Sequence, residues 1–488
     1  MGRSTSTSAS KNNWLIPALV GALVFLMAAR APLDSDLFWH LRAGETTLGT
    51  LRPVLSDMMS YTRAGAVWVN HSWLGEVILA LFYNLAGFLG LSILVAGSAV
   101  LLMQGIYGLM EGPALWRAFV VVLACLVIAP LWTPRPQLFS LLMLVGLEML
   151  LVRWRAGKAR LVWVIPLFVL WSNLHGGYPL GLILIACWIA GELLNHLTGL
   201  EGALPPRRLL LLGLAGLGGW LVVAINPNGT AMWGIPFQTL GVGVLQQAIP
   251  EWASPDFHDL AQQPFLWMLA AILGAFGMSG RAVEGKALVK VVIFGALGLI
   301  ARRNFGPFGL LAAPVLCGSG WLVLERLAGR LPEGVGAGKP VSLTFQRAFN
   351  LGLIALLVLA AVIKVWAVTQ PNLIETYLRE HYPTDAVSWM RQEKPAGRLF
   401  SSYGWGGYLD WALPEYPVFI DGRTDLFGDA LIQEWMRVDG VGSGWEQVLD
   451  HWQVRLVLLE PGHPLLKELE RAGWHVLYRS EAAVLYER

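Results

Sequence analysis

Asp34 and Asp36 stand one residue apart in Asp34-Ser35-Asp36, directly after the first apolar run and at the start of a polar stretch fenced by further apolar runs. Two carboxylates so placed at a membrane surface can hold a metal–phosphate complex or take a proton as a general base. They can equally cap the next helix, a position that Ser and Asp favour. Asp36 and His40 are four residues apart and share one face if Leu33–Glu45 is helical. On such a face a carboxylate orients a histidine, shifts its proton affinity or joins it on a metal, and a plain surface ion pair has the same spacing. Trp68-Val69-Asn70-His71-Ser72-Trp73 puts His71 at the opening of another apolar helix. His175 precedes Gly176-Gly177, where a substrate can approach the backbone; a packing histidine is the alternative. The loop Glu251-Trp252-Ala253-Ser254-Pro255-Asp256-Phe257-His258 is acidic and aromatic. Its Trp suits stacking on a sugar ring, and Glu251, Asp256 and His258 suit hydroxyl groups or a metal shared with Asp34 or Asp36.

These residues need elements to position them, and the composition says which. The chain has 488 residues, 55% hydrophobic and 14% charged, with mean hydropathy +0.55. Soluble chains carry about a quarter charged residues, so this is an integral membrane protein with a soluble remainder. A net charge of +2 calls for no nucleic acid or other strongly charged partner. Cys125, Cys187 and Cys317 all lie in apolar runs, which excludes a disulfide framework and a thiolate metal site. Runs long enough to cross a bilayer fall near 13–30, 88–110, 117–132, 137–152, 161–174, 179–197, 209–225, 264–280, 287–301, 306–324 and 349–369, about eleven spans. Lys and Arg orient them. With residues 1–12 as a cytoplasmic tail, the clusters Arg153–Arg160, Arg207-Arg208, Arg281–Lys286 and Arg326–Arg347 are all cytoplasmic. The membrane core is then 13–369, with an outer loop at 31–87 and a soluble extracytoplasmic domain at 370–488. Residues 74–87 read as a further span or an interfacial helix, and only the second keeps the charge pattern. The outer side collects Asp34, Asp36, His40, Asn70, His71, Glu76, Arg135, Asn173, His175, Asn226, Asn228, Glu251, Asp256, His258, Arg302, Arg303 and Asn304. Ionisable groups at the hydrocarbon boundary usually face a cavity, so one wet cavity on that face is expected.

The C-terminal portion reads as a small α/β fold. Strand-like runs occur at 398–402, 418–421, 455–460, 474–478 and 483–487, with helical patterns near 384–394, 428–438, 444–452 and 463–472. Ser401–Tyr408 is rich in Gly and aromatics and suits a carbohydrate platform or a tight turn. Asp421-Gly422-Arg423-Thr424-Asp425 follows a buried strand, where α/β sheets often place ligands, though a buried Asp–Arg pair fixing a turn fits as well.

An apolar first span, an Asp-x-Asp loop, a His-containing turn and a Leu/Ala-rich helix into the next span together resemble the GT-C superfamily of membrane glycosyltransferases. The protein O-mannosyltransferase and aminoarabinose-transferase branches are nearest in layout. Those branches often carry Pro-Pro-Leu after the turn, where this chain has His71-Ser72-Trp73-Leu74. The segments Asp-Ser-Asp-Leu-Phe-Trp-His-Leu and Trp-Val-Asn-His-x-Trp-Leu are also similar to uncharacterised bacterial membrane proteins. The resemblance implies a polytopic α-helical core with a C-terminal α/β domain at the outer face of a bacterial inner membrane. It implies a polyprenyl-phosphate-linked sugar as donor and a protein, lipid or glycan acceptor. Asp36 or Asp34 becomes the residue that activates or aligns the acceptor, with a divalent metal in some branches. A carrier phosphate needs cations, and Arg302-Arg303 lies between two spans against the positive-inside trend. Arg303 is the expected phosphate ligand, with Arg302 and Arg135 behind it. Other readings are a polyprenyl-phosphate ligase or phosphotransferase, a transporter, and a non-catalytic component of envelope assembly.

Overall fold

The computed structural model describes residues 14–237, 243, 249–329 and 342–488. The expected tail 1–12, and Arg330 and Lys339 of the expected cytoplasmic clusters, lie outside the described residues. Each apolar run is helical: α1 (Leu15–Ala28), α3 (Trp73–Leu109), α4 (Ala114–Ile128), α5 (Gln137–Arg155), α6 (Val164–Leu174), α7 (Pro179–Leu197), α8 (Pro206–Val222), α9 (Gln263–Met278), α10 (Gly285–Ile300), α11 (Phe305–Ala328) and α12 (Leu343–Val368). The shorter α2 (Leu37–Thr50) fills the first loop. Among the described residues six helices are long and apolar enough to cross a membrane, the longest being α3. Pro179 and Pro206 start their helices, where a missing N–H costs nothing.

Helix packing rests on small residues, as expected where lipid is as apolar as the protein interior. Gly191 on α7 and Gly285 at the start of α10 bring the two backbones into contact, and a methyl group on either would overlap the other chain segment. Phe265 stacks on Phe305 at 4.4 Å in the core. The expected ambiguity at 74–87 has a local cause. Ala86 and Gly87 leave helical geometry, with Gly87 at φ +57°, so α3 is two helices joined at a kink. Its first limb, Trp73–Leu85, is roughly 20 Å long, short of the ~30 Å hydrocarbon core.

One end of the bundle carries buried ions. Lys290 pairs with Glu148 at 2.5 Å, and Trp188 donates to the same carboxylate at 2.8 Å. Arg155 pairs with Glu192 nearby. The other end carries the loops between α1 and α3, α4 and α5, α6 and α7, α8 and α9, and α10 and α11. The C-terminal domain sits on that end.

That domain runs α13 (Pro371–His381), α14 (Thr384–Glu393), β1 (Arg398–Ser401), α15 (Gly406–Ala412), α16 (Thr424–Asp439), α17 (Trp445–His451), β2 (Val454–Leu459), α18 (Pro464–Arg471), β3 (His475–Arg479) and β4 (Val484–Glu487). Sheet order is β1-β2-β4-β3, with β1 and β2 parallel and β4 antiparallel to both neighbours. The run at 418–421, expected as a strand of this sheet, is not one. Its backbone pairs instead with the first loop: Val418 accepts from Tyr61 at 3.1 Å and donates to Met59 at 3.0 Å. Thr62 donates to the Phe419 carbonyl at 2.5 Å. On α2, Phe38 packs its ring edge-on to Tyr382 and Tyr408 at 5.2 and 5.1 Å. The C-terminal domain is therefore docked through backbone hydrogen bonds and aromatic packing onto the loop that carries Asp34 and Asp36.

Candidate active site: an acid cluster beside an arginine cavity

Asp36 precedes α2, and its amide donates to Asp34 Oδ1 at 3.0 Å, which fixes both side chains in one turn. They face Arg135 from the short α4–α5 connection. Its Nε reaches Asp34 at 2.6 Å, its Nη2 reaches Asp36 at 2.9 Å, and its Nη1 reaches Glu251 at 2.9 Å. One guanidinium thus serves three carboxylates drawn from two loops, and itself comes from a third. Burial, and then those carboxylates pulling the other way, leave Arg135 held more firmly charged than usual. Asp36 is pushed up to about 6, first by burial, against the pull of Arg135 and with the push of Asp34 and Glu251. A close ion pair and a raised carboxyl coexist because a single cation is shared three ways.

Glu251 is followed by Trp252, and these two adjacent residues join the acid cluster to a cavity. The guanidinium of Arg303 lies over the Trp252 ring at 4.0 Å. Arg303 has no hydrogen-bond or ion-pair partner among the described residues. It lines a cavity of about 330 Å³ with His71, His175, Trp252, Asn304 and apolar residues of α5, α7, α10 and α11. The His71 and His175 rings meet edge to face at 5.6 Å. His175 Nδ1 pairs with Ser140 Oγ at 2.7 Å and accepts from the Gly177 amide at 3.1 Å. His71 Nδ1 lies 2.8 Å from Ser72 Oγ and 3.3 Å from the Gly176 amide. Burial, and then nearby positive charge, hold His175 well below the ordinary histidine range. Burial also lowers His71, which the charge of Asp425 partly offsets. Both rings are neutral at pH 7.

The C-terminal domain closes this region from above. Gly422 abuts the Asp36 carboxylate and Trp39, and a methyl group there would overlap Asp36. The next residue, Arg423, is fully buried, pairs with Asp421 at 2.5 Å and with Asp57 of the first loop at 2.8 Å, and lies over Trp68 at 4.8 Å. Burial and then the Asp421 charge raise Asp410 well above the carboxylate range, so this acid is held neutral beside them.

The structure brings together Asp34, Asp36, Arg135 and Glu251, and separately His71, His175 and Arg303. Other candidates lie elsewhere. His40 turns away from Asp36 and bonds Glu76 at 3.1 Å, with Asn70 donating to the same acid at 2.7 Å. Burial, and then the positive charge of Arg135, keep His40 well below the ordinary range, so it is a neutral, structural partner of Glu76. Arg302 spends its guanidinium on the Pro250 carbonyl, Nε at 2.8 Å. Asp256 and His258 pair with each other at 2.9 Å on the surface, the His ring being 100% exposed. Arg135, expected behind Arg303 as a phosphate ligand, is committed to carboxylates. Asp34 and Asp36 do not fit a metal site: the guanidinium occupies the space between the acids where a cation would sit. Among the described residues no group of three His, Cys, Asp or Glu is arranged to hold one. Sequence reasoning gave no role to Ser140 or Asp57. Ser140 alone left a signal, a hydroxyl in an otherwise apolar helix.

No family model and no curated protein matches the chain. Its fold does match solved structures. The apo oligosaccharyltransferase of Archaeoglobus fulgidus aligns with a TM-score of 0.57 at 14% identity, over 92% of this chain and 70% of that one. ArnT from Cupriavidus metallidurans, solved bound to undecaprenyl phosphate, aligns with a TM-score of 0.54 at 12% identity, over 98% of each chain. The fold is therefore similar to that of these two structures.

Proposed function

We propose that this protein is a glycosyltransferase that moves a sugar from a polyprenyl-phosphate carrier to an acceptor at the outer face of a membrane. The observation that carries the proposal is Arg303: a guanidinium with no ion-pair partner among the described residues, over Trp252, in a largely apolar cavity whose Trp252 adjoins Glu251 of the carboxylate cluster. An unpaired buried cation is costly and is best explained by an anionic ligand that brings its own apolar body. A polyprenyl phosphate has that chemistry, and the ArnT structure with undecaprenyl phosphate supports it by fold likeness.

In this reading the carrier phosphate lies on Arg303 and its chain runs along the apolar wall. Asp36 takes the proton of the acceptor group. The acceptor oxygen or nitrogen forms a bond to the anomeric carbon as the bond from that carbon to the phosphate oxygen breaks. The electron pair leaves with the phosphate, where Arg303 meets the growing charge. Arg135 holds Asp34, Asp36 and Glu251 in place, and the neutral histidines donate to or accept from the sugar without adding charge. A carboxyl near 6 is ionised at neutral pH yet still basic enough to take a proton.

Proteoliposomes holding the full chain and radiolabelled polyprenyl-phosphate sugars test this. Wild type transfers or releases label from one donor, Asp36→Asn loses this by about 10²–10⁴-fold, and Arg303→Ala weakens binding of undecaprenyl phosphate. Equal turnover by wild type and both variants removes the reading.

A further inference from the structure

The short turn after β1, Tyr403–Trp405, stands at the carboxyl end of the one parallel strand pair, the edge where α/β sheets bind ligands. The Tyr403 hydroxyl is buried and has no hydrogen-bond partner among the described residues. The ring is not free to seek one, since Trp435 packs on it at 5.5 Å and is itself tied to the Ser401 carbonyl at 3.1 Å. The chain on either side touches the acid cluster. A methyl group on Gly407 would meet the Ser35 carbonyl and Trp39, as one on Gly422 would meet Asp36.

Resting on the transferase reading, we infer that Tyr403 is an acceptor-binding residue: the C-terminal domain presents its hydroxyl to a hydroxyl-bearing acceptor and holds that acceptor against Asp36. Buried phenols nearly always find a partner, so an unpartnered one in a turn whose flanking segments touch the acid cluster marks a place that a substrate fills. The groups whose charge reaches this phenol are Asp36, Asp421, Arg135 and Glu251, three of them members of the acid cluster. Burial, and then the charges of Asp36 and Asp421, keep its proton in place, so it acts as a donor. Among the described residues, none of those lining the Arg303 cavity belongs to this domain. The domain therefore selects the acceptor and leaves the donor to the helices.

The test separates two fates of one donor. Membrane vesicles carrying the full chain receive the radiolabelled polyprenyl-phosphate sugar that wild type uses. Label passes to vesicle components by transfer, or appears as free sugar when water is the acceptor. Tyr403→Phe keeps the ring and removes one hydroxyl. We expect it to lose transfer by about tenfold, the scale of one hydrogen bond to substrate, while free-sugar release and thermal stability stay at the wild-type level. Tyr403→His, which restores a donor, recovers part of the transfer. Should Tyr403→Phe transfer as wild type does, or lose both products together, the inference is overturned. A wild type that neither transfers nor hydrolyses removes the transferase reading and this inference with it.

Discussion

Asp36 sits in an environment that favours its protonated form, and this has a sign that can be measured. Its folded value is raised from 3.8 to about 6. The native state binds this proton more tightly than the unfolded chain does, so stability from this group is present at low pH and is lost as pH rises through that window. Asp36→Asn should therefore melt higher than wild type at pH 7, with the gap closing below pH 5, while activity is gone. Wild-type turnover should climb through about pH 6 as the base ionises. Arg135 is the opposite case. Arg135→Met leaves three facing carboxylates without a cation and should cost about 3–5 kcal/mol, the scale of a broken buried pair, read as a lower melting temperature. At this scale the sequence was informative where chemistry is local. Asp34 and Asp36 announced themselves by spacing, and Arg303 by standing against the charge trend. Arg135 and Glu251 were visible as residues, but not as partners of each other, because 116 positions separate them. His40 was misplaced for the same reason: its partner Glu76 is 36 residues away, not four.

The elements were legible wherever hydrophobic periodicity or run length carries the information. All eleven apolar runs became helices. The kink in α3 was not, since Leu and Ala continue on both sides of Gly87 and only the φ of one residue changes. The run at 418–421 has strand composition, but its hydrogen bonds go to the first loop and not to the sheet. Composition reports a preference for extended backbone and says nothing about which edge receives it. Gly422 gives a prediction at this scale. Gly422→Ala places a methyl group on the Asp36 carboxylate, so the 421–425 segment must back away from α2. We expect a stability loss of about 1–3 kcal/mol, typical of overpacking, and a proportionally larger loss of turnover at a temperature where the protein remains folded.

For the whole molecule, the two halves are fastened through Arg423. It joins Asp421 of the C-terminal domain to Asp57 of the first loop while lying on Trp68, all out of water. Arg423→Met should loosen this joint without disturbing the bundle. Limited proteolysis between α12 and α14 should quicken, and transfer should fall along with docking. If cleavage is unchanged, the aromatic contacts of Phe38 hold the domain on their own. The α/β character of the C-terminal residues was readable from their strand and helix patterns; their grip on the first loop was not.

The three-way sharing at Arg135 also has a consequence in time. Ribosomes add roughly 5–20 residues each second, so the three loops that meet at this guanidinium are made many seconds apart. Asp34 and Asp36 emerge first, their cation about a hundred residues later, and Glu251 after another hundred or so. Gly422, which closes over Asp36, is made roughly 170 residues after Glu251. The growing chain thus carries Asp36 uncovered until Gly422 has been made, and the cluster is closed only when the C-terminal domain folds back onto the first loop.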